Sequence, residues 1–428
     1  MNIKDDLNQP YLRVSECAFT NISIMDRPYL EEIFGGRIFP DGTMAIDHIE
    51  EILEHQRVFM EVVAEIRRDC MMTFPVITYS LLYQNGKFVD EEFARWCSKH
   101  NLLWMDSNFF VSGDVTSLSS CCRLVNDFTK LKGFSNSIGG TALKIGSIKV
   151  NTINLMRIAL ESGKDEEKYL EILEDRVRTD IAVLDTVRGI IKRNVDRGLL
   201  PNYTYDVIDM SKQYNTIGIN AMYEAIRHFG YTETDQFGNI SYTQKGIEFA
   251  SAIMDKINEV KDSYDFDYSI NVEAVPGERA AVILCEKDNL LYPKNEAKHH
   301  DFIYSNQWIP LTEQCTLDAK IATSAVLDNK CGGGQILHLN SQGEMNEEQA
   351  WDLLNYIASR NVIYFAFNCK ISVCEDGHGF MGNVCPKCGK PMVDTYQRIV
   401  GYLTPSSSYS KTRKEEFAKR YWYNFNEN

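Results

Sequence analysis

Four soft metal ligands fall within fifteen residues near the C-terminal end of this chain, in Cys374-Glu-Asp-Gly-His378 and Cys385-Pro-Lys-Cys388-Gly. No other stretch restricts the fold as much. A Cys-x-x-Cys turn carrying Pro and Gly lets two thiolates converge on one ion at a tetrahedral angle. Cys374 and His378 are the nearest second pair, with Cys369 as a reserve ligand should His378 point away. A redox Cys-x-x-Cys pair and unconnected core cysteines are the competing readings. Four soft ligands so closely spaced favour a zinc ribbon, with Cys374, His378, Cys385 and Cys388 as its ligands.

A length of 428 residues suits one large domain with an appendage, or two to three domains. The 44% apolar and 25% charged content is that of an ordinary globular protein. A net charge of −15 speaks against a nucleic-acid partner, and so against the ribbon as a DNA or RNA finger. No apolar run approaches the roughly 18 residues of a membrane span, and no signal peptide opens the chain. Twelve cysteines without a secretory signal predict reduced thiols and a cytoplasmic location.

Along the chain, Ala18–Ile24 reads as a strand and 47–69 as an amphipathic helix, with Ile49, Ile52, Leu53, Phe59, Val62, Val63 and Ile66 at helical spacing. Thr73–Tyr79 reads as a buried strand in which Pro75 implies an edge or a bulge. A short helix over 91–100 and a strand over 102–111 follow. Residues 165–196 form the longest helix, with Leu170, Leu173, Val177, Ile181, Leu184, Val187, Ile191 and Val195 at three-four spacing. Core packing is the reading there, with a subunit interface, and so a homodimer, as the alternative. Asn215–Glu224 reads as a helix N-terminus that Thr216 could cap, its free N–H groups open to a substrate phosphate. A helix over 345–360 and a strand over 362–367 lead into the ribbon. His338 reads as a satisfied core histidine rather than a ligand.

Gly401, in Arg398-Ile-Val-Gly401-Tyr-Leu, would by itself be a turn glycine at positive φ. The run resembles the Arg-Val-x-Gly-Tyr radical loop of the glycyl radical enzymes. A ribbon directly before that loop narrows the resemblance to the anaerobic (class III) ribonucleotide reductases. The tail Ser406-Ser-Ser-Tyr-Ser-Lys-Thr-Arg resembles the segment after the radical loop in that family. In Cys121-Cys122-Arg123-Leu124, two buried structural thiols would be the plain reading. The family carries Cys-Cys-Arg-Leu or Gly-Cys-Arg-Ser at this point, which implies that Cys122, the cysteine before the arginine, becomes the thiyl radical, with Cys121 as the fallback. The run Gly146-Ser-Ile-Lys-Val-Asn-Thr-Ile-Asn154-Leu resembles an active-site border of the family, although Lys149 stands where a glycine is usual. Thr216, Gly218 and Glu278 lie in further matching runs, and with Asn154 they are the implied substrate-binding residues.

The resemblance covers about residues 18 to 423 and implies a ten-stranded α/β barrel of the glycyl radical and ribonucleotide reductase type. The expected division is a partial barrel at 1–366, a zinc ribbon at 367–394 and a radical loop with its tail at 395–428. The implied activity is anaerobic reduction of ribonucleoside triphosphates to 2′-deoxyribonucleoside triphosphates. An iron–sulfur, S-adenosylmethionine-dependent activase would install the glycyl radical. Phe19-Thr-Asn-Ile begins so near Met1 that a separately encoded N-terminal fragment is expected to complete the barrel. Two alternatives stand beside this: a carbon–carbon lyase of the same enzyme class, and a non-catalytic subunit supplying a radical loop or regulating a full-length reductase.

Overall fold

The computed structural model describes residues 10–13, 16–17, 20–120, 124–127, 144, 146–275, 277–293, 303–343, 345–398 and 401–425. The chain divides into two compact units, one formed by 1–123 with 336–428 and the other by 124–335.

The first unit opens with strand β1 (Asn21–Met25) and helices α1 (Arg27–Phe34) and α2 (Ile49–Asp69). Helix α2 buries Ile49, Leu53, Met60, Val63, Ala64 and Arg67, while Val62, expected inward, is exposed. Strand β2 (Val76–Gln84), helix α3 (Glu91–Asn101) and strand β3 (Ser107–Ser112) follow. Pro75 marks neither an edge nor a bulge. It precedes β2, which starts at Val76 and lies between β1 and β3, both parallel to it. Proline's missing donor is harmless there, because the ladder begins one residue later.

In the second unit, β4 (Gly146–Asn154), α4 (Leu155–Ser162) and α5 (Glu166–Asp196) come first. Asp165 caps α5 by accepting from the Lys168 N–H. Leu173, Val177, Ile181 and Leu184 are buried and pack as core, whereas Leu170, Val187, Ile191 and Val195 of the same stripe are only half-buried. Strand β5 (Gln213–Asn220), α6 (Met222–Phe229), α7 (Gln244–Asp262), β6 (Ile270–Ala274), α8 (Glu278–Leu291) and α9 (Leu317–Leu327) complete this unit. Strands β6, β5 and β4 make a parallel sheet in that order, and each is followed by a helix at its C-terminal end.

The chain then returns to the first unit through β7 (Leu337–Asn340), α10 (Glu347–Ser359) and β8 (Tyr364–Asn368). Trp351, Leu354 and Ile357 of α10 point inward, as their spacing predicts. Strands run β7-β8-β3-β2-β1, with only the β8–β3 pair antiparallel. The C-terminal part is a second, antiparallel sheet. It contains β9 (Ile371–Cys374), β10 (Gly379–Phe380), β11 (Met392–Arg398) and β12 (Leu403–Pro405), and helix α11 (Lys411–Ala418) follows.

The larger sheet has two buried faces of opposite character. Register places Ile77, Tyr79, Leu81, Phe109, Val111, Phe365 and Phe367 on one face, where Phe109 stacks on Phe365 with centroids 5.4 Å apart. The other face carries Thr78, Ser80, Asn108, Tyr364, Asn368, His338 and Asn340 beside Leu82, Phe110 and Ala366, all buried. A strand buried on both faces usually reads as a continuous apolar run. A buried polar face must find hydrogen-bond partners, and so it marks a wall built to receive something polar.

Candidate active site and metal centre

The polar wall receives the hairpin made by β11 and β12. Arg398 pairs with Leu403, Gln397 with Thr404 and Tyr396 with Pro405, so Gly401 sits in the tight connection between the strands. Leu403 anchors one side of the hairpin among Ala64, Met71, Trp104, Ile371 and Val373, and Tyr402 packs on Phe74. Arg398, 1% exposed, donates from Nη1 to Met105 O at 2.7 Å, Asn368 Oδ1 at 2.9 Å and Phe367 O at 3.0 Å. Burial pushes this guanidinium down to about 10 against the pull of Asp106, whose carboxylate is already paired with Arg67.

A second arginine clamps the hairpin from the tail. Arg420 is paired with Glu416 through both carboxylate oxygens, and its Nη1 donates to Arg398 O at 2.8 Å and Gln397 Oε1 at 3.2 Å. Asp394 receives Ser406 Oγ at 2.6 Å and Ser407 Oγ at 2.6 Å, and Tyr409 donates to Gln397 O at 3.1 Å. The Ser-rich tail is therefore the support of the hairpin. Gly401 is buried, and its carbonyl accepts from Asn108 Nδ2 at 3.4 Å.

The predicted metal ligands converge. The Sγ and Nδ1 or Nε2 atoms of Cys374, His378, Cys385 and Cys388 lie within 4.8 Å of one another. Cys374 Sγ is 3.5 Å from His378 Nδ1 and 3.6 Å from Cys388 Sγ, and Cys385 Sγ is 3.6 Å from His378 Nδ1. A tetrahedral site with metal–sulfur bonds of about 2.3 Å has edges of about 3.7 Å, so these donors fit one ion with no room for a fifth ligand. Burial raises the Cys385 thiol, but hydrogen bonds from the backbone N–H groups of Cys388 and Lys387 and from the side chains of Cys388 and His378 together lower it, while the adjoining Cys388 thiol is raised. Cys369 is not part of the group. Its Sγ donates to Trp104 O at 3.3 Å, and burial pushes its thiol up to about 12.

In the second unit the C-terminal ends of the three parallel strands, Asn154, Asn220 and Ala274, each lead directly to a helix start at Leu155, Met222 and Glu278. Asn154 caps α4 by accepting from Arg157 N at 3.2 Å and donates to Asp288 Oδ2 at 2.9 Å. Asp288 is also bound by Arg157 and by Tyr304 OH at 2.8 Å. Asn220, Ala221, Met222, Ala274, Ser305 and Asn306 line a small recess, about large enough for one water molecule. Neither side-chain polar atom of Asn220 has a partner among the described residues, although the residue is 2% exposed.

Thr216 is a correction. It caps no helix but lies inside β5, paired with Val150 and Asn271, and its Oγ1 meets Ser147 Oγ at 2.8 Å. The β-branched Thr216, Ile217 and Ile219 suit a strand flanked on both sides, and Ala221 in the left-handed region delays the helix to Met222. Gly218 lies in the same strand, where a Cβ would meet Val275, Thr152 and Val150 at 2.8–3.0 Å. Cys121 and Cys122 lie outside the described residues, as does the side chain of Glu278. Sequence reasoning missed Asn108, Tyr364, Asn220 and Arg420. The first two were detectable only as polar members of strands whose neighbours are aromatic.

A sequence model of the family described as anaerobic ribonucleoside-triphosphate reductase matches residues 6–423. The curated anaerobic ribonucleoside-triphosphate reductase of Escherichia coli K12 is 24% identical over 306 residues, covering 64% of this chain and 42% of that protein. A solved anaerobic ribonucleotide reductase superposes with a TM-score of 0.89 at 43% identity, covering 98% of this chain and 66% of its own. The Thermotoga maritima anaerobic ribonucleotide reductase, solved in complex with dATP and CTP, gives 0.86 at 43% identity over 96% of this chain and 66% of its own. The chain thus spans less than two thirds of the length of these relatives.

Proposed function

The chain belongs to the anaerobic ribonucleoside-triphosphate reductase family, and on that premise we propose that it carries the radical and substrate-binding machinery for reducing ribonucleoside triphosphates to 2′-deoxyribonucleoside triphosphates. The observation that carries this reading is the buried hairpin presenting Gly401 on a polar wall, locked by Arg398 and Arg420. A glycine α-carbon between an amide nitrogen and a carbonyl delocalises an unpaired electron, and burial limits its contact with bulk water.

In this proposal an iron–sulfur, S-adenosylmethionine-dependent activase takes one hydrogen atom from Gly401. Gly401 then takes a hydrogen atom from the thiol of Cys122, and the thiyl takes the ribose 3′ hydrogen. The 2′ hydroxyl leaves as water, an external two-electron reductant closes the reaction, and the thiol returns the 3′ hydrogen. The similar strength of the S–H, glycyl C–H and ribosyl C–H bonds lets hydrogen pass along this series without a deep trap.

The substrate is proposed to lie at the carboxyl ends of the parallel strands, the usual ligand position in such sheets. Asn154, Asn220 and the helix starts at Met222 and Glu278 border that end, with N–H groups and a positive dipole suited to phosphate. Thr216 and Gly218 shape the strand behind it. The Thermotoga maritima complex with CTP supports a nucleotide ligand. Zinc would be held by Cys374, His378, Cys385 and Cys388, and it supplies structural closure only, since four ligands leave no open position. The division into 1–366, 367–394 and 395–428 is proposed as a functional one, with 1–366 belonging to a ten-stranded α/β barrel. A cytoplasmic location is part of this proposal: nine cysteines among the described residues form no disulfide, and none of the described helices is long and apolar enough to cross a membrane.

The test is anaerobic treatment with the activase, followed by an assay of nucleotide reduction. An electron paramagnetic resonance doublet that disappears in Gly401→Ala, and deoxynucleotide formation that disappears in Cys122→Ser while the doublet persists, are the expected results. A doublet surviving in Gly401→Ala refutes the assignment.

A further inference from the structure

One side chain of the wall behind Gly401, Asn108, hydrogen-bonds the glycine itself. Asn108 lies on β3, with Thr78 opposite it on β2 and Tyr364 diagonal to it on β8, all on the polar face. Its Nδ2 donates to Tyr364 OH at 3.1 Å and to Gly401 O at 3.4 Å, and Tyr364 OH also meets Thr78 Oγ1 at 3.3 Å. Asn108, Thr78 and Tyr364 are all 0–1% exposed. The amide orientation is chemically determined, since the opposite one would set Oδ1 against the Gly401 carbonyl oxygen. The price is that Oδ1 is left buried with no partner among the described residues. Leaving a buried acceptor unpaired is costly, so the geometry favours the Gly401 contact over full satisfaction of Asn108.

We propose that Asn108 is a positioning residue for the Gly401 radical: held by Tyr364 and Thr78, its amide hydrogen-bonds the Gly401 carbonyl and stabilises the unpaired electron on the adjacent α-carbon. This rests on the reading of Gly401 as the radical site. When the α-carbon loses a hydrogen atom it becomes planar and conjugates with both flanking groups. The amide nitrogen donates electron density and the carbonyl oxygen receives it, so negative charge grows on an atom already facing a donor. A preplaced donor aimed at developing charge strengthens as the charge forms and needs no reorganisation. The 3.4 Å separation is long for the resting glycine and shortens as the oxygen becomes a better acceptor.

The experiment compares wild type, Asn108→Ala, Asn108→Asp and Tyr364→Phe after anaerobic activation. Bound metal and thermal midpoint serve as folding controls. Spin per chain and the glycyl hyperfine pattern, recorded in H₂O and D₂O, are the readouts. Asn108→Ala should give roughly five- to tenfold less spin per chain at equal activase, the size of one hydrogen bond. It should also lose an exchangeable-proton coupling that wild type shows. Asn108→Asp, of the same shape but with an acceptor facing the carbonyl, should do worse than alanine. Tyr364→Phe keeps the ring beside Phe110 and frees the amide, so it should broaden the hyperfine pattern; it carries the test if the Asn108 variants fail to fold. A Gly401-dependent doublet in wild type that is unchanged in yield and hyperfine pattern in the folded variants overturns this proposal and leaves the Gly401 reading intact. A doublet that persists in Gly401→Ala overturns that reading and this proposal with it.

Discussion

Replacing Arg398 by leucine should detach the hairpin while the rest of the first unit stays folded. The substitution leaves three buried acceptors, Met105 O, Phe367 O and Asn368 Oδ1, without the donor that now serves them at 2.7–3.0 Å. An orphaned buried acceptor costs about 1–3 kcal/mol, so three set a range of about 3–9 kcal/mol. Against this stands the relief of a buried cation. Its depression to about 10 shows that burial opposes the charge, and Asp106, the nearest acid, is engaged by Arg67. Leucine also fits the apolar surroundings. The net is about 3–5 kcal/mol, the range seen when one partner of a buried charged network is removed. A chain of two compact units need not unfold in one step, so hydrogen exchange is the better assay. At about 1.4 kcal/mol per factor of ten, amides of β11 and β12 should exchange roughly a hundred- to several-thousand-fold faster, with those of β2 and β3 little changed. Wild-type protection across 392–405 would show that apolar packing of Leu403 and Tyr402 suffices and that the arginine network is incidental.

Cys385→Ser should lose nearly all bound zinc by metal analysis and expose the 392–405 hairpin to protease, since structural zinc contributes on the order of 10 kcal/mol to small ribbons. Activated protein exposed to air should be cut at Gly401, releasing about 3 kDa from its 28 C-terminal residues, judged from the mean residue mass of a 49.1 kDa chain, and Gly401→Ala should not be cut. Cys122→Ser should abolish nucleotide reduction and leave the doublet, whereas Cys121→Ser should be tolerated better; equal loss at both would leave the thiyl site unassigned. Burial raises Glu224 to about 8 despite its own backbone N–H and that of Ser305, so the folded state holds a proton that the unfolded chain releases at lower pH. Its contribution is fully present below the unfolded value near 4.5 and is lost as pH rises through about 8. Glu224→Gln should flatten the decline of stability across that window, and an unchanged slope would place the titration elsewhere.

The sequence was most informative where one residue type can do only one thing. The Cys374, His378, Cys385 and Cys388 spacing leads directly to a converged cluster, and the three-four stripe of 165–196 to a buried helix face. It was misleading at Thr216. A Thr followed by a Gly and an apolar run satisfies a helix-capping pattern and a buried parallel strand equally well, and only the neighbouring strands decide between them. Asn108 and Tyr364 were illegible for a different reason. Their significance depends on sharing a sheet face with Thr78, across 286 residues of separation between Thr78 and Tyr364, and periodicity within a single strand cannot show which strands become neighbours.

The metal cluster and the hairpin are linked through one strand pair. β9 ends at Cys374 and pairs with β11 as Ile371 to Tyr396, Ser372 to Thr395 and Val373 to Asp394, but Cys374 falls opposite Met392. Val393 is thus an extra residue, a bulge beside the first metal ligand, and it is 65% exposed. Without the bulge, Cys374 would continue the ladder with Val393 opposite it. With it, the strand end turns toward His378 and Cys388. Strand side chains alternate faces, so a one-residue slip of β11 on β9 would carry Arg398 to the opposite face, away from Asn368. An ion held by this cluster at the end of β9 would therefore fix the register that aims Arg398, and through it the position of Gly401.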